Sequence, residues 1–275
     1  VGKNTFEECR AKPRPNKELE GMNTQFETLQ IVGPRNRFPA VSLIEPTESG
    51  YLLLAIEVDH RPPIGFFTES GRKKKLLAQL KSLATVLAGS DDVLDASVFK
   101  AIIVPPGRGA FLKKRPDVKI AKFDIVMLVE FKTVDAARNY QYTPEWVALI
   151  ADARENSHNV MHISASNARR IGPVDHSTNG VFLFNYFYAD SLDINLQVWN
   201  YTAGWFQDQT GLDNSTLLLP DEATQVPYTI INHCRWDGLR NILPPLLLNR
   251  SFKSFVLNNF ERNNTAATPI LYKLA

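Results

Sequence analysis

The chain has 275 residues, of which 44% are apolar, 10% aromatic and 22% charged, the composition of a folded globular protein with material for a sizeable core. Its 31 Lys and Arg stand against 29 Asp and Glu, a formal charge of +2, so no global field draws in nucleic acid or an anionic membrane. No stretch reaches the roughly 18 consecutive apolar residues of a membrane span, and two cysteines, Cys9 and Cys234, make neither a disulfide framework nor a zinc pattern, which points to a reducing, cytoplasmic setting.

Residues 1–47 are polar and punctuated by Pro13, Pro15, Pro34, Pro39 and Pro46, so they read as an irregular N-terminal arm. The arm shows no signal-like apolar core, and a start at Val1 leaves open whether a leader has been removed. From Gly50 the pattern changes. Tyr51 to Val58 is a nearly continuous apolar run of strand length, and apolar side chains at both parities imply burial on both faces. A helix follows from Arg72 to Leu87, with Leu76, Leu77, Leu80, Leu83, Ala84 and Leu87 at helical spacing and Gly89 as the stop. Val98–Val104 and Phe123–Phe131 read as strands, Ala136–Ala153 as a helix that Pro144 breaks or restarts, and Val160–Ala165 as a fourth strand. The basic runs Arg72–Lys75 and Lys113–Arg115 read as solvated surface.

The remainder repeats the β-α-β-β-α-β order. Val181–Tyr188 is a strand, Leu192–Gln209 a helix, Ser215–Leu219 and Tyr228–Trp236 strands, Gly238–Phe260 a helix interrupted at Pro244-Pro245, and Pro269–Leu274 a last strand. Gly50–Leu54 lies over Gly180–Phe184, and Phe123–Phe131 over Tyr228–Trp236 without a gap, so the pattern is duplicated although the identity is low. The spacing predicts a first ferredoxin-like unit over 48–175 and a second over 176–275. A lone unit of this kind would show polar alternation on the sheet face without helices. Leu52 to Val58, Ile125 to Val129 and Phe182 to Tyr188 do not alternate, so each sheet needs a cover. The economical cover is the sister sheet, which predicts an α+β molecule with both antiparallel sheets in one barrel.

The strand-aromatic-helix passage Tyr228-Thr-Ile-Ile-Asn-His-Cys-Arg-Trp236-Asp-Gly, Ser251-Phe252 in the following helix and Asn185 in the first strand resemble the dimeric α/β-barrel superfamily. The resemblance is to tandem members whose units are similar to antibiotic-biosynthesis-type monooxygenase domains, and it spans roughly residues 48–275. It implies a ligand cavity between a sheet and its helices, reached by polar residues of the central strands. It also implies cofactor-independent monooxygenase or cyclase-like chemistry on an aromatic or polyketide-like molecule, the alternative being a non-catalytic hydrophobic-ligand-binding or stress-related protein. In haem-degrading relatives a first-strand Asn works with an iron-ligating His on the second helix. The second helix here has no His, so neither haem, another cofactor nor a metal is expected.

Asn185, Asn232 and His233 are the polar residues inside otherwise apolar strands, whereas the first unit has Ala55 and Met127-Leu128 at the matching positions. A buried polar group left unpaired costs about 1–3 kcal/mol, so such residues either pair structurally or serve a ligand. The contrast between copies places any site in the second unit. Period-2 alternation puts Asn232, Cys234 and Trp236 on one strand face and His233 and Arg235 on the other. If there is chemistry, His233 is the natural general base, since imidazole titrates near neutrality, and Asn185 and Asn232 hold a carbonyl, an enolate or dioxygen. Tyr188, Trp199, Trp205 and Trp236 would form a flat apolar wall, with Arg235 beside it, unless they are core. His158 and His162 lie too far apart on a strand to share a metal. Asp59-His60-Arg61 would line a mouth or be a surface cluster, and Pro105-Pro-Gly-Arg-Gly109 is a turn rather than a phosphate loop. The expected partner is one small hydrophobic or aromatic molecule, with the protein a monomer or a homodimer.

Overall fold

A computed structural model describes residues 28–59, 66, 69–106, 110–222 and 226–275; Cys9, His60, Arg61 and 107–109 lie outside the described residues. Both parities of the first strand, β1 (Gly50–Glu57), are buried, as the unbroken apolar run requires. Helix α1 (Gly71–Leu87) starts on Ser70, whose side chain accepts from Lys73 N, and is followed by β2 (Val93–Ile103) and β3 (Ile125–Phe131). Thr133 caps α2 (Val134–Tyr140), and Thr143 caps α3 (Pro144–Glu155), whose proline occupies the first turn where no donor is needed. Strand β4 (Asn159–Gly172) ends the first set. The second set comprises β5 (Val181–Ala189), α4 (Leu192–Thr210), β6 (Ser215–Pro220), β7 (Ile230–Trp236), α5 (Leu239–Leu248), a π-helical turn (Phe252–Leu257), α6 (Asn258–Arg262) and β8 (Thr265–Leu274).

The strands form one closed barrel in the order β1-β3-β2-β8-β5-β7-β6-β4, every neighbouring pair antiparallel. Two seams join the halves: Phe99 pairs with Leu274 across β2 and β8, and Ser166 with Leu219 across β4 and β6. Inside, Phe99, Phe123, Leu128, Phe182, Phe184, Tyr186 and Tyr272 pack as one core, so the apolar inner faces of the two sheets cover each other. The outer face of the first sheet is covered by α1, α2 and α3, and that of the second by α4, α5, the π-helical turn and α6.

Several boundaries differ from the periodicity. Strand β8 starts at Thr265, and β4 continues to Gly172 because its polar second half pairs with β6. The last helical stretch breaks at Asn249, not at the prolines: both lie inside α5, and Asn249 leaves the helix to accept from Ser251 N and Oγ at 2.9 and 2.6 Å. Lys73 departs from its solvated run, since it is buried and paired at 3.0 Å with buried Asp124, which also accepts from Val58 N and Asp59 N. The described part of the arm is irregular. It lies on the second half, where Asn259 accepts from Val32 N and Asn263 holds both N and O of Gln30. Among the described residues no helix is long and apolar enough to cross a membrane.

Candidate functional site

Strands β5 and β7 are neighbours, with Asn185 directly opposite Asn232. On this pair Val181, Leu183, Phe187, Ile230, Cys234 and Trp236 face the helices, and Phe182, Phe184, Tyr186 and Ile231 face the barrel interior. Asn185 and Asn232 belong to the helix-facing set. There Asn185 borders two small cavities of about 30 Å³ each and Asn232 the first of them; the two cavities share Leu183, Asn185, Phe206 and Phe260 as walls. The first is completed by Trp199, Trp236, Ser215 and Cys234 among others, the second by Phe252 of the π-helical turn and Pro269 of β8.

The two amides differ in how they are satisfied. Asn232 Oδ1 accepts from Ser215 Oγ at 2.6 Å, and its Nδ2 contacts Cys234 Sγ at 3.8 Å. Asn185 is 8% exposed, and its Oδ1 has no hydrogen-bond partner among the described residues.

No protein-family model matches the chain, and no curated protein matches it in sequence. In structure it is similar to an anthrone oxidase-like protein, at a TM-score of 0.56 and 10% identity over 83% of this chain and 92% of the other. It is also similar to a candidate monooxygenase from Fusobacterium nucleatum (TM-score 0.50, 7% identity, 83% and 92% covered) and to a dye-decolorizing protein from V. cholerae (0.50, 12%, 84% and 95%). The chain has the dimeric α/β-barrel fold. In this α/β barrel a single polypeptide supplies both ferredoxin-like units, so the barrel closes without a second copy.

The α/β barrel gathers part of the sequence-predicted set and separates the rest. Asn185, Asn232, Trp199 and Trp236 come together around the first cavity, Trp236 Nε1 being tied to Thr210 Oγ1 at 3.0 Å. His233 does not join them, because strand alternation sends it to the opposite face, where its ring stacks on Phe184 at 4.1 Å. Arg235 follows the same parity and is held at the strand end by Asp237 and the carbonyl of Asn179. Tyr188 stacks on Phe111 and lines neither cavity. Trp205 is fully buried with its Nε1 on Ser251 Oγ at 2.7 Å, six positions along α4 from Trp199 and so on another side of that helix.

These positions decide the chemistry available. Burial, reinforced by the nearby His176, holds the pKa of His233 well below the usual imidazole value. Cys234, the one titratable side chain among the described cavity-lining residues, has its thiol pKa pushed up by burial. The cavities therefore offer orientation and an apolar surround, with no proton acceptor near neutrality. Neither cavity is lined by a histidine. His162 Nε2 accepts from Arg154 Nη2 at 3.3 Å, and among the described residues no three His, Cys, Asp or Glu side chains are placed to hold a metal.

The sequence reading passed over Phe206, Phe260 and Ser215, whose contribution depends on helix docking and on the β6–β7 register. It also passed over His176, in the connection between β4 and β5. Its Nδ1 lies 2.8 Å from Asp95 Oδ2 and its Nε2 2.8 Å from His233 Nε2.

Proposed function

We propose that the chain is a small-molecule protein of the monooxygenase type that takes a flat, largely apolar molecule bearing an O–H or N–H donor between the β5–β7 face and α4. The observation that carries this reading is the buried, unmet Asn185 Oδ1 between two aromatic-walled cavities. Such an acceptor costs about 1–3 kcal/mol while unmet, and a donor on a guest recovers that cost. Cavities of about 30 Å³ hold a water or two. A ring system enters when the shared walls Phe206 and Phe260 swing aside and the two spaces merge.

The likeness to an anthrone oxidase-like protein supports anthrone as the probe, because its enol form is a flat ring system with one O–H. In the proposed reaction anthrone and dioxygen give anthraquinone and water. The methylene carbon loses both hydrogens, one oxygen atom becomes the new carbonyl, and the other leaves as water with electrons drawn from the substrate. Asn185 holds the enol O–H, while Trp199 and Trp236 flank the rings. Asn232, opposite Asn185 on the neighbouring strand, has its own oxygen occupied by Ser215 and so leaves Asn185 as the acceptor for the guest.

The test is anthrone titration followed by tryptophan fluorescence, together with oxygen uptake above the spontaneous rate, in the intact chain and in Asn185→Leu. Saturable quenching with matched formation of anthraquinone is expected, weakened about tenfold in the variant, equivalent to about 1.4 kcal/mol. Absence of saturable binding to the unaltered chain would refute the reading. A second reading, a non-catalytic ligand-holding protein, is favoured by the lack of a proton acceptor in the cavities; saturable binding without oxygen uptake selects it.

A further inference from the structure

A chain of hydrogen bonds at one end of the barrel links three parts of the molecule that the candidate site does not use. Asp95 comes from β2 of the first unit, His176 from the connection between units, and His233 from β7 of the second. Asp95 Oδ2 lies 2.8 Å from His176 Nδ1 and also accepts from Ser97 Oγ at 3.0 Å. His176 Nε2 lies 2.8 Å from His233 Nε2, and His233 Nδ1 lies 3.0 Å from the backbone oxygen of Leu183. Phe99, Phe182 and Phe184 surround the two rings.

The ends of this chain determine its protons. A carboxylate and a carbonyl only accept, so both Nδ1 atoms must carry hydrogen. The contact between the two Nε2 atoms needs a hydrogen of its own, because two bare lone pairs at 2.8 Å repel. Two neutral imidazoles supply two hydrogens, and the three contacts require three. We infer that His176 and His233 share three protons in the folded protein, and that the extra proton latches the connection between the two units onto the end of the barrel.

The positive charge rests on His176. That ring touches the Asp95 carboxylate, whereas His233 is fully enclosed and its charged form is disfavoured by burial and by His176. The other ionisable groups close by are Asp175, held ionised to about pH 2 by hydrogen bonds from Ser177 and Thr178, and Arg235 at the end of β7. The ring contacts from β2 and β5 are with Phe99, Phe182 and Phe184, which carry no charge. A metal ion between the rings does not fit this spacing. Bonds of about 2.0–2.1 Å to both nitrogens would need a bond angle near 86° where tetrahedral zinc prefers about 109°.

The latch opens on either side of its optimum. A further proton puts two N–H groups and two cations face to face. Loss of the shared proton leaves one of the three contacts as lone pair against lone pair. In the unfolded chain the two imidazoles, each with an ordinary pKa of about 6.5, together bind one proton at about pH 6.5, more below and fewer above. On complete unfolding, stability from the two rings together is therefore greatest near that pH. It falls in acid, where unfolding takes up protons and the depressed pKa of His233 makes itself felt, and falls in base, where unfolding releases one.

Imidazole nitrogen NMR of the full chain near neutral pH tests the proton count directly. One ring protonated at both nitrogens and one protonated only at Nδ1 is the expected result. Two neutral rings, or ring resonances that move on adding a chelator, would overturn the inference. The urea midpoint of the unaltered chain minus that of His176→Gln, plotted against pH, is expected to be largest and level on the acid side of about 6.5 and to decline as pH rises above it, because buried His233 is neutral in both folded proteins and its own contribution cancels; a difference that does not change with pH, or that grows as pH rises, would also overturn it. If His176→Gln does not fold, amide exchange across residues 173–180 of the unaltered chain replaces that arm. Corrected for intrinsic rate, it should be faster at about pH 8 than at about 6.5, where opening releases the shared proton, and unchanged protection counts against the latch.

Discussion

Asn232 accepts from Ser215 Oγ at 2.6 Å, whereas the Oδ1 of its cross-strand partner Asn185 meets no donor among the described residues. Replacing either by leucine removes an amide from the same buried wall, yet the consequences have opposite sign. In Asn232→Leu the Ser215 hydroxyl loses its acceptor inside the protein, and stability falls by about 1–3 kcal/mol. In Asn185→Leu an unmet acceptor is replaced by an apolar group of similar size, so the ligand-free protein gains about 1 kcal/mol. Urea midpoints of the two variants check this, and equal losses would show that Asn185 is structurally satisfied. At this scale the sequence revealed which strand residues are anomalous and on which face each stands, because strand parity is a local property. It did not reveal that His233 ends against His176, which in turn rests on Asp95, because that meeting depends on a connection folding back over a barrel built from both halves.

Among the elements, α4 and the arm are fitted to each other at one glycine. A Cβ on Gly204 would stand 1.9 Å from the backbone oxygen of Pro39, which no rotamer change relieves because the obstacle is main chain. Gly204→Ala is therefore expected to lift the arm from the second unit, costing about 1–3 kcal/mol as an overpacked contact does. The measurement is limited proteolysis: cleavage between residues 28 and 44 should become faster than in the unaltered chain. Gly211→Ala is the control, since Gly211 has φ 67° and open space around it, so strain there leaves the arm in place. Unchanged cleavage in Gly204→Ala would mean the arm is not held at that point. The periodicity showed α1, α4 and the apolar cores of β1, β3, β5 and β7 well, because both faces of those strands are buried. It missed the polar half of β4 and the start of β8, where pairing with a partner strand, not burial, sets the limits. It also misplaced the break in the last helical stretch, because the Asn249 side chain competes for backbone donors while Pro244 and Pro245 stay within α5.

For the whole molecule, the two seams are equivalent: β2 meets β8 and β6 meets β4, in each case the second strand of one unit against the fourth of the other. A chain cut after Gly172 would give two pieces, each with both outer strands unpaired and an inner face carrying Phe99 and Leu128 in one piece, or Phe182, Phe184 and Tyr186 in the other. Unpaired edges template association, and an apolar sheet face of this extent draws in whatever can cover it. Either piece expressed alone is therefore expected to self-associate or precipitate. The two expressed together should form a soluble 1:1 complex with the spectrum of the intact chain, since both seams and the inner packing are restored. Size-exclusion chromatography with light scattering separates these outcomes. A single piece that stays monomeric and soluble with native-like strand content would mean that burial between the sheets is not what holds the barrel. The bond between Asp95 and His176 adds a second tie across the same division, with both histidines in the second piece, so the carboxylate contact that holds the charge on His176 should be absent from either piece alone and return on reassembly.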